Sequence, residues 1–224
     1  MTRPILLDLY CGSGGAGHGY WLAGFDVVGV DLDDQPDYPY LFVQADAIEF
    51  VKNHGHEFDV IHASPPCQLW SPVSAYSRRV RTRELIDLLA PTRDALHAAG
   101  RPYVVENVLQ APLDRPTVLC GQMFGLPIYR HRGFESNVAL TSPDHPSHRL
   151  RCTRNGYLPT ADRPLMTITG RNGHHSRAWQ RAAAAAMGAS WITTLNGVCE
   201  AIPPAYTLHL GAQLLRSLGR CRRR

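Results

Sequence analysis

A cysteine follows two prolines in Ser64-Pro65-Pro66-Cys67, directly after an apolar stretch of the chain. The prolines restrict the backbone, and the end of a strand would present the Cys67 sulfur rigidly at the ligand-binding edge of a parallel sheet. A thiolate is a soft nucleophile that suits addition to a polarised carbon–carbon double bond. The alternative, a buried structural cysteine, is disfavoured by the flanking prolines and by the position.

A carboxyl group and two guanidinium groups are the next candidates. Glu106 ends another apolar run, where a carboxyl is costly unless it is used or paired. In its protonated form it can donate to a ring nitrogen as a general acid; the alternative is a helix-capping pair with Asn107. Arg130 and Arg132 alternate in sequence, so they project to one side of an extended segment and can contact a phosphate and a base carbonyl. Solvated surface charge is the alternative for the arginines.

A glycine-rich loop, Asp8-Leu-Tyr-Cys-Gly-Ser-Gly-Gly15, follows the first apolar run. Glycines after a strand let the backbone pass close to a ligand, although a plain strand-to-helix turn would look similar. Asp31 and Asp33 come about 20 residues later, where an acid can accept both hydroxyls of a ribose. Asp46, after the third run, can accept an adenine amino group. Together these residues predict a site for a nucleoside-bearing cofactor.

In this order the motifs resemble the DNA (cytosine-5)-methyltransferase family. Further matches are Pro66-Cys67-Gln68-Leu-Trp-Ser71, Glu106-Asn107-Val108, Arg130-x-Arg132, Arg163-Pro-Leu-Met-Thr167 and Ala201-Ile-Pro-Pro204. The resemblance implies methyl transfer from S-adenosylmethionine to carbon 5 of a cytosine, flipped out of DNA, through a covalent Cys67 adduct. It implies catalytic roles for Cys67, Glu106, Arg130 and Arg132. It further implies cofactor contacts by Asp8, Leu9, Tyr10, Gly12, Gly14, Asp31, Asp46 and Pro66, and substrate contacts by Gln68, Ser71 and Asn107.

The chain departs from the family pattern in length and at two positions. Ile128 and Glu200 replace a glutamine and an asparagine of the family, and Glu200 receives no role. Only about 30 residues, 133–162, stand where the family inserts a target-recognition domain. This segment holds His145, His148 and Cys152, with Cys120 upstream, so a zinc site is conceivable. The spacing fits no standard finger, however, and we interpret the segment as an irregular basic loop near phosphate and expect no metal.

The elements that would position these residues alternate along the chain. Apolar runs predict strands at residues 4–9, 25–30, 41–44, 58–63 and 102–105, and helices at 18–23, 48–53, 83–99 (interrupted near Pro91), 179–187 and 205–218. This order predicts an α/β fold, the Rossmann-like fold of S-adenosylmethionine-dependent methyltransferases, with a mostly parallel sheet covered on both faces. We expect a catalytic and cofactor-binding core at 1–132, a short irregular insert at 133–162 and a completing part at 163–224.

Composition and charge constrain the partners and the location. No apolar run approaches a membrane span, the start does not resemble a signal peptide, and the six cysteines have no CxxC spacing. We therefore expect a cytoplasmic protein without a disulfide framework. A net charge of +4 suits a polyanion. The favoured partner is DNA, as for a phage self-protection or restriction–modification enzyme. The short insert leaves room for a protein partner that supplies recognition. It also leaves open methylation of RNA or of a free cytosine nucleotide by the same chemistry. The third hypothesis is a DNA-binding protein that descends from such an enzyme and has lost its activity.

Overall fold

The computed structural model describes residues 2–71, 86–169 and 175–221. Within them, seven strands form one sheet in the order β3-β2-β1-β4-β5-β7-β6. The strands are β1 Ile5–Leu9, β2 Asp26–Asp31, β3 Leu41–Gln44, β4 Val60–Ala63, β5 Tyr103–Asn107, β6 Thr117–Leu119 and β7 Arg132–Ser136. The helices are α1 Gly15–Ala23, α2 Ala47–His54, α3 Leu89–Ala99, α4 Arg177–Ala186, α5 Leu195–Glu200 and α6 Pro204–Cys221.

Two apolar layers cover the two faces of the sheet. One layer packs α2 and α3 against the sheet through residues such as Val51, Leu96 and Ile61. The other packs α1 and α6 against the opposite face through residues such as Tyr20 and Tyr206. Strands β1 to β5 pair in parallel, as expected for a sheet buried on both sides. The predicted α/β class, with a mostly parallel sheet and helices on both faces, is confirmed.

The helix predicted over residues 83–99, with an interruption near Pro91, differs from the structure in the part of this stretch that is described. The described part of this stretch starts at residue 86, and α3 begins only at Leu89. Pro91 occupies the first turn of α3, where the missing N–H has no intrahelical acceptor in any case. The proline therefore marks the beginning of the helix and does not interrupt it.

Two strands near the candidate arginines escaped the sequence patterns. β7 pairs antiparallel with β5, and β6 pairs antiparallel with β7. Strands of three and five residues are too short for a recognisable alternation of apolar and polar residues. They become strands through hydrogen bonding to their neighbours in the sheet. Residues 133–136 therefore belong to the sheet, and the irregular part of the predicted insert begins after Ser136. The short helix α5 was missed for the same reason, because six residues make fewer than two turns.

A buried ion pair holds the antiparallel edge against α3. Arg93 Nε lies 2.7 Å from Glu135 Oε1, and the second guanidinium nitrogen donates to Glu135 Oε2 at 2.8 Å. The backbone N–H of Asp114 also donates to this carboxylate. The hydrogen bonds from Arg93 and Asp114, together with the charge of Arg93, lower the pKa of Glu135 despite its burial. The pair therefore anchors β7, the strand that begins with Arg132.

We expect Glu135→Gln to lower the free energy of unfolding by about 3 kcal/mol, because it leaves Arg93 with an uncompensated charge. Because the folded-state pKa is below the unfolded value of about 4.5, the stabilisation is complete above that value and is lost as the pH falls through the folded pKa. Urea unfolding at several pH values measures both effects. Equal stability of the two proteins at neutral pH would contradict the prediction.

Candidate active site

A cavity of about 1020 Å³ opens at the carboxyl ends of the parallel strands. This is the edge where α/β sheets bind their ligands. Its walls bring together residues that are far apart in sequence. They include Asp8, Tyr10, Gly12, Asp31, Asp33, Pro66, Cys67, Gln68, Ser71, Glu106, Arg130 and Arg132. Most of the residues that the sequence predicted for one site therefore share one cavity.

The glycine loop lies on one side of this cavity and is tied to the end of β2. The backbone N–H of Gly12 donates to Asp31 Oδ2 at 2.9 Å, and the N–H of Asp33 donates to Asp31 Oδ1 at 3.2 Å. Gly12 has a φ of +48°, and the space beside its Cα is open. The loop and the acid are thus fixed relative to each other, and the open space beside Gly12 leaves room for a ligand.

Asp8 is a buried carboxylate at the base of the same loop. Burial raises its pKa to about 8, although a hydrogen bond from Tyr38 opposes the shift. The Tyr38 hydroxyl donates to Oδ2 at 3.3 Å, whereas Oδ1 is buried and has no hydrogen-bond partner. An unpartnered buried acceptor is costly, so Asp8 is well suited to receive a donor from a bound ligand. Tyr38 was not singled out from the sequence, because nothing in its local pattern places it against β1.

Three of the predicted cofactor residues lie outside the cavity wall. Leu9 is fully buried, and its carbonyl accepts from the Ser64 N–H. Gly14 begins α1 with a φ of 80°, and a Cβ there would lie 2.8 Å from Pro39. Asp46 caps α2, because Oδ1 accepts the N–H groups of Ile48 and Glu49. The helix cap explains an acid at this position without a ligand, so the contacts predicted for these three residues stay predictions.

Cys67 lines the same cavity as the glycine loop. Its carbonyl accepts the N–H groups of Trp70 and Ser71 at 3.0 and 2.9 Å, which close a turn directly after the thiol. Burial raises the pKa of Cys67; the Arg132 and Arg130 charges lower it, and the Glu106 charge raises it. The thiol is therefore held mostly protonated, and its nearest charges are those of the other catalytic candidates.

Glu106 and Arg132 form an ion pair at the cavity wall. Arg132 Nε lies 3.0 Å from Glu106 Oε1, and the Glu106 side chain is 7% exposed. Pairing of β5 with β7 brings the two residues together, because Asn107, which follows Glu106, is opposite Gly133, which follows Arg132. Burial raises the pKa of Glu106, and the charges of Arg132 and Arg130 together with a hydrogen bond from Ser64 only partly oppose this. A carboxyl of this kind accepts a proton more readily than an ordinary Glu.

Arg130 is half-buried and bridges distant parts of the chain. Its terminal nitrogens donate to the carbonyls of Ile168 and Cys199 at 3.0 and 2.8 Å. Burial, with the charge of Arg132, lowers its pKa to about 10. The alternative reading of Arg130 and Arg132 as solvated surface charges is therefore wrong. Arg130 connects β7 to the carboxyl-terminal part of the chain, and its catalytic role stays a prediction.

Asn107 faces the protein interior. Its amide donates to the Pro65 carbonyl at 3.0 Å, and its Oδ1 accepts the Val108 N–H. The side chain is 1% exposed. This geometry positions the proline turn before Cys67 and leaves no amide group directed at a substrate. The predicted substrate contact of Asn107 is untested, and the structure offers a positioning role in its place.

The carboxyl-terminal part of the chain closes the cavity through contacts that the sequence did not reveal. Asp37 accepts the Thr193 N–H and hydroxyl, each at 2.8 Å. The Trp191 indole donates to the Ser13 carbonyl at 3.0 Å. Asn196 and Gly197 complete the wall. These pairs are about 150 to 180 residues apart in sequence, so no local pattern could indicate them.

Comparison with solved structures shows that this fold is similar to the folds of several methyltransferases. No protein-family model and no curated protein sequence matches the chain. A protein assigned as a DNA modification methyltransferase of an E. coli prophage shares the fold, with a TM-score of 0.65 and 14% identity over 96% of this chain and 99% of that one. The Dnmt2 methyltransferase of S. pombe has a TM-score of 0.61 and 13% identity, with coverages of 96% and 99%. The Entamoeba histolytica methyltransferase EhMeth has a TM-score of 0.61 and 11% identity over 97% of this chain and 99% of that one.

Proposed function

We propose that this protein transfers a methyl group from S-adenosylmethionine to carbon 5 of cytosine in DNA. The observation that carries the proposal is the convergence of Cys67, Glu106 and Arg132 on one cavity that the glycine loop and Asp31 also line. The shared fold with a prophage DNA modification methyltransferase and with Dnmt2 supports it. A role in phage self-protection or restriction–modification is consistent with this activity.

The loop side of the cavity fits S-adenosylmethionine. Asp8 offers a buried, unpartnered oxygen, and the backbone at Gly12 leaves open space. Asp31 stands where an acid accepts ribose hydroxyls. When bound, the cofactor supplies an electrophilic methyl group. Asp8, Tyr10, Gly12 and Asp31 would hold it.

The other lining residues supply the remaining chemistry. Cys67 loses its proton to water and its sulfur adds to carbon 6 of the ring, while protonated Glu106 donates to N3 and so stabilises the electrons displaced from the double bond. Arg132, beside Glu106, binds the carbonyl oxygen of the base. Carbon 5 becomes nucleophilic and accepts the methyl group, whose bond to the sulfonium sulfur breaks and leaves S-adenosylhomocysteine. A base such as water then removes the carbon-5 proton, the Cys67–carbon bond breaks to release the thiolate, and N3 returns its proton to Glu106, which restores the aromatic ring.

Asp31→Ala should weaken S-adenosylhomocysteine binding by about 2–4 kcal/mol, because two hydrogen bonds to a charged acceptor are lost. Calorimetry gives the affinity directly. Asp33→Ala is the matched control, since Asp33 is exposed and only its backbone bonds to Asp31. If Asp33→Ala weakens binding and Asp31→Ala does not, the ribose contact belongs to Asp33. Unchanged binding in both variants would refute the pocket.

DNA is the substrate that the surface charge favours. Arg149, Arg151 and Arg154 are exposed in the segment that follows β7, and Cys152 of this segment reaches the cavity wall. Arg171, a further basic residue that we expect near the target, lies outside the described residues. Several arginines close to the mouth of a cavity suit a polyanion, whereas a free nucleotide presents too few phosphates to engage them all.

Affinity for duplex DNA should therefore fall steeply with salt, with a log–log slope of about −3 if these three arginines contact phosphate. Arg149→Ala should reduce the slope by about one and weaken binding equally across DNA sequences. Fluorescence anisotropy over a range of salt concentrations measures both quantities. A flat salt dependence, with faster methylation of a cytosine mononucleotide than of DNA, would transfer the substrate assignment to the nucleotide.

The whole proposal is tested by one labelling experiment. The protein is incubated with methyl-labelled S-adenosylmethionine and, separately, duplex DNA, single-stranded DNA, RNA or cytosine nucleotides. We expect label in DNA as 5-methylcytosine, identified after digestion to nucleosides. Label only in RNA or nucleotides would keep the chemistry and change the substrate, and label at an exocyclic nitrogen would refute the Cys67 mechanism.

A further inference from the structure

A cluster of one cysteine and three histidines lies beside the candidate active site and has no part in the proposed reaction. Cys120 follows β6, His131 precedes β7, and His145 and His148 come from the segment after β7. One ligand atom from each residue lies within 4.8 Å of all the others. Four potential ligands thus converge from three parts of the chain.

We propose that Cys120, His131, His145 and His148 form a structural zinc site. The donor set, one thiolate and three imidazoles, is of the kind that Zn²⁺ prefers, and four protein ligands describe a closed, tetrahedral site. The expectation that the chain binds no metal is revised accordingly. The Cys152 that the sequence offered as a ligand is replaced by His131, since Cys152 instead forms a bridge with Leu165 and hydrogen-bonds to Thr167.

Two of the distances within the cluster are close to the edges of a zinc tetrahedron. Zinc–nitrogen bonds of about 2.05 Å and a zinc–sulfur bond of about 2.3 Å place neighbouring nitrogens about 3.3 Å apart and nitrogen and sulfur about 3.6 Å apart. Here His131 Nε2 lies 3.1 Å from His145 Nε2, and Cys120 Sγ lies 3.4 Å from His148 Nε2. The remaining ligand atoms lie within 4.8 Å of one another, so closing of the two exposed histidines around the ion would complete the coordination.

The surroundings hold the ligands in place. The Gly121 N–H donates to the Tyr129 carbonyl at 3.0 Å, which connects the Cys120 turn to the residues before His131. The Tyr129 ring stacks on His148 with centroids 3.7 Å apart, and its hydroxyl donates to the Leu150 carbonyl at 2.6 Å. Cys120 is fully buried, whereas His145 and His148 are exposed. The buried sulfur and the sheet-anchored His131 therefore form a base onto which the two exposed histidines close.

The site would fix an irregular segment against the sheet. Residues 137–150 contain no helix or strand. Arg149 lies at the end of this segment, and Arg151 follows it. His131 is adjacent to Arg132, which pairs with Leu119 of β6 and with Glu106. A metal here would tie the basic segment to the strand that carries Arg132. This role stands without the methyltransferase assignment, because metal binding is measured independently of any reaction.

The test is the zinc content of the full chain, produced without a histidine tag and measured by plasma mass spectrometry. We expect about one zinc per chain. His145→Ala and His148→Ala should each weaken zinc affinity by at least about 100-fold, measured against a chelating dye, because each removes a ligand. Both residues are exposed in an irregular segment, so these variants should keep the circular dichroism of the parent. Cys152→Ser is the matched control and should keep its zinc.

A second measurement identifies the sulfur ligand and the role of the site. Cobalt(II) should give the absorption of a tetrahedral thiolate complex, which Cys120→Ser should lose and Cys152→Ser retain. Zinc should also slow trypsin cleavage after Arg149 and Arg151, and chelation should reverse the protection. The proposal is overturned by protein that takes up no zinc from micromolar solution. Equal zinc content in the parent and both histidine variants, or loss of zinc in Cys152→Ser alone, would overturn it as well.

Discussion

Replacing Cys67 by serine should reduce methyl transfer by about 10⁴-fold or more, because loss of the nucleophile removes the covalent pathway. A hydroxyl is a far weaker nucleophile than a thiolate at neutral pH. The substitution changes one atom and leaves the glycine loop and Asp31 in place, so binding of S-adenosylhomocysteine should stay close to that of the parent. Single-turnover assays and calorimetry measure the two quantities.

The covalent step has its own signature. With S-adenosylmethionine, DNA that carries 5-fluorocytosine should trap the parent protein as a stable adduct, since no proton can leave carbon 5, and Cys67→Ser should form none. Peptide mapping of the adduct distinguishes Cys67 from Cys11, which lines the same cavity. Burial and the carboxylates of Asp8 and Asp31 raise the pKa of Cys11, so we expect no adduct there. Full turnover by Cys67→Ser would falsify the mechanism.

Glu106→Gln should lower the rate of methyl transfer by about 10²- to 10⁴-fold, the usual contribution of a general acid. Glutamine keeps the size of the side chain but cannot supply a proton to N3. The raised pKa of Glu106 keeps more of it protonated near neutral pH than an ordinary Glu. As the pH rises through this pKa, the active form is lost. The falling limb of the pH–rate profile that belongs to Glu106 should therefore be absent in the variant.

Glu135→Gln is the matched control for Glu106→Gln. Both carboxylates are buried, each pairs with an arginine, and they lie on the adjacent strands β7 and β5. Their pKa values shift in opposite directions, because Arg93 binds Glu135 through two hydrogen bonds whereas desolvation dominates at Glu106. Glu135→Gln should reduce stability and leave the rate of the folded molecules largely unchanged. Equal losses of rate in the two variants would show that Glu106 acts only through the fold.

The local sequence determined the parallel core of this protein. Apolar runs ending in polar residues located β1 to β5 to within two residues at nearly every end. The glycine loop, the proline turn before Cys67 and Glu106 could be recognised because each depends on the residue types within a few positions. A parallel strand buried on both faces needs a continuous apolar run, and its ligand edge needs polar residues where that run ends. These requirements are local, so the sequence displays them.

Tertiary structure decided what depends on partners distant in the chain. β7 exists through pairing with β5 and β6 through pairing with β7, and the pairing of β5 with β7 places Arg132 at Glu106. Contacts between distant residues likewise direct Asn107 to the Pro65 carbonyl and Arg130 to the carbonyls of Ile168 and Cys199. The Cys120–His148 cluster follows this pattern, because its ligands are spread over 28 residues with no finger-like spacing. Packing free energy selects such contacts among residues that no local preference brings together, so they appear only in the folded chain.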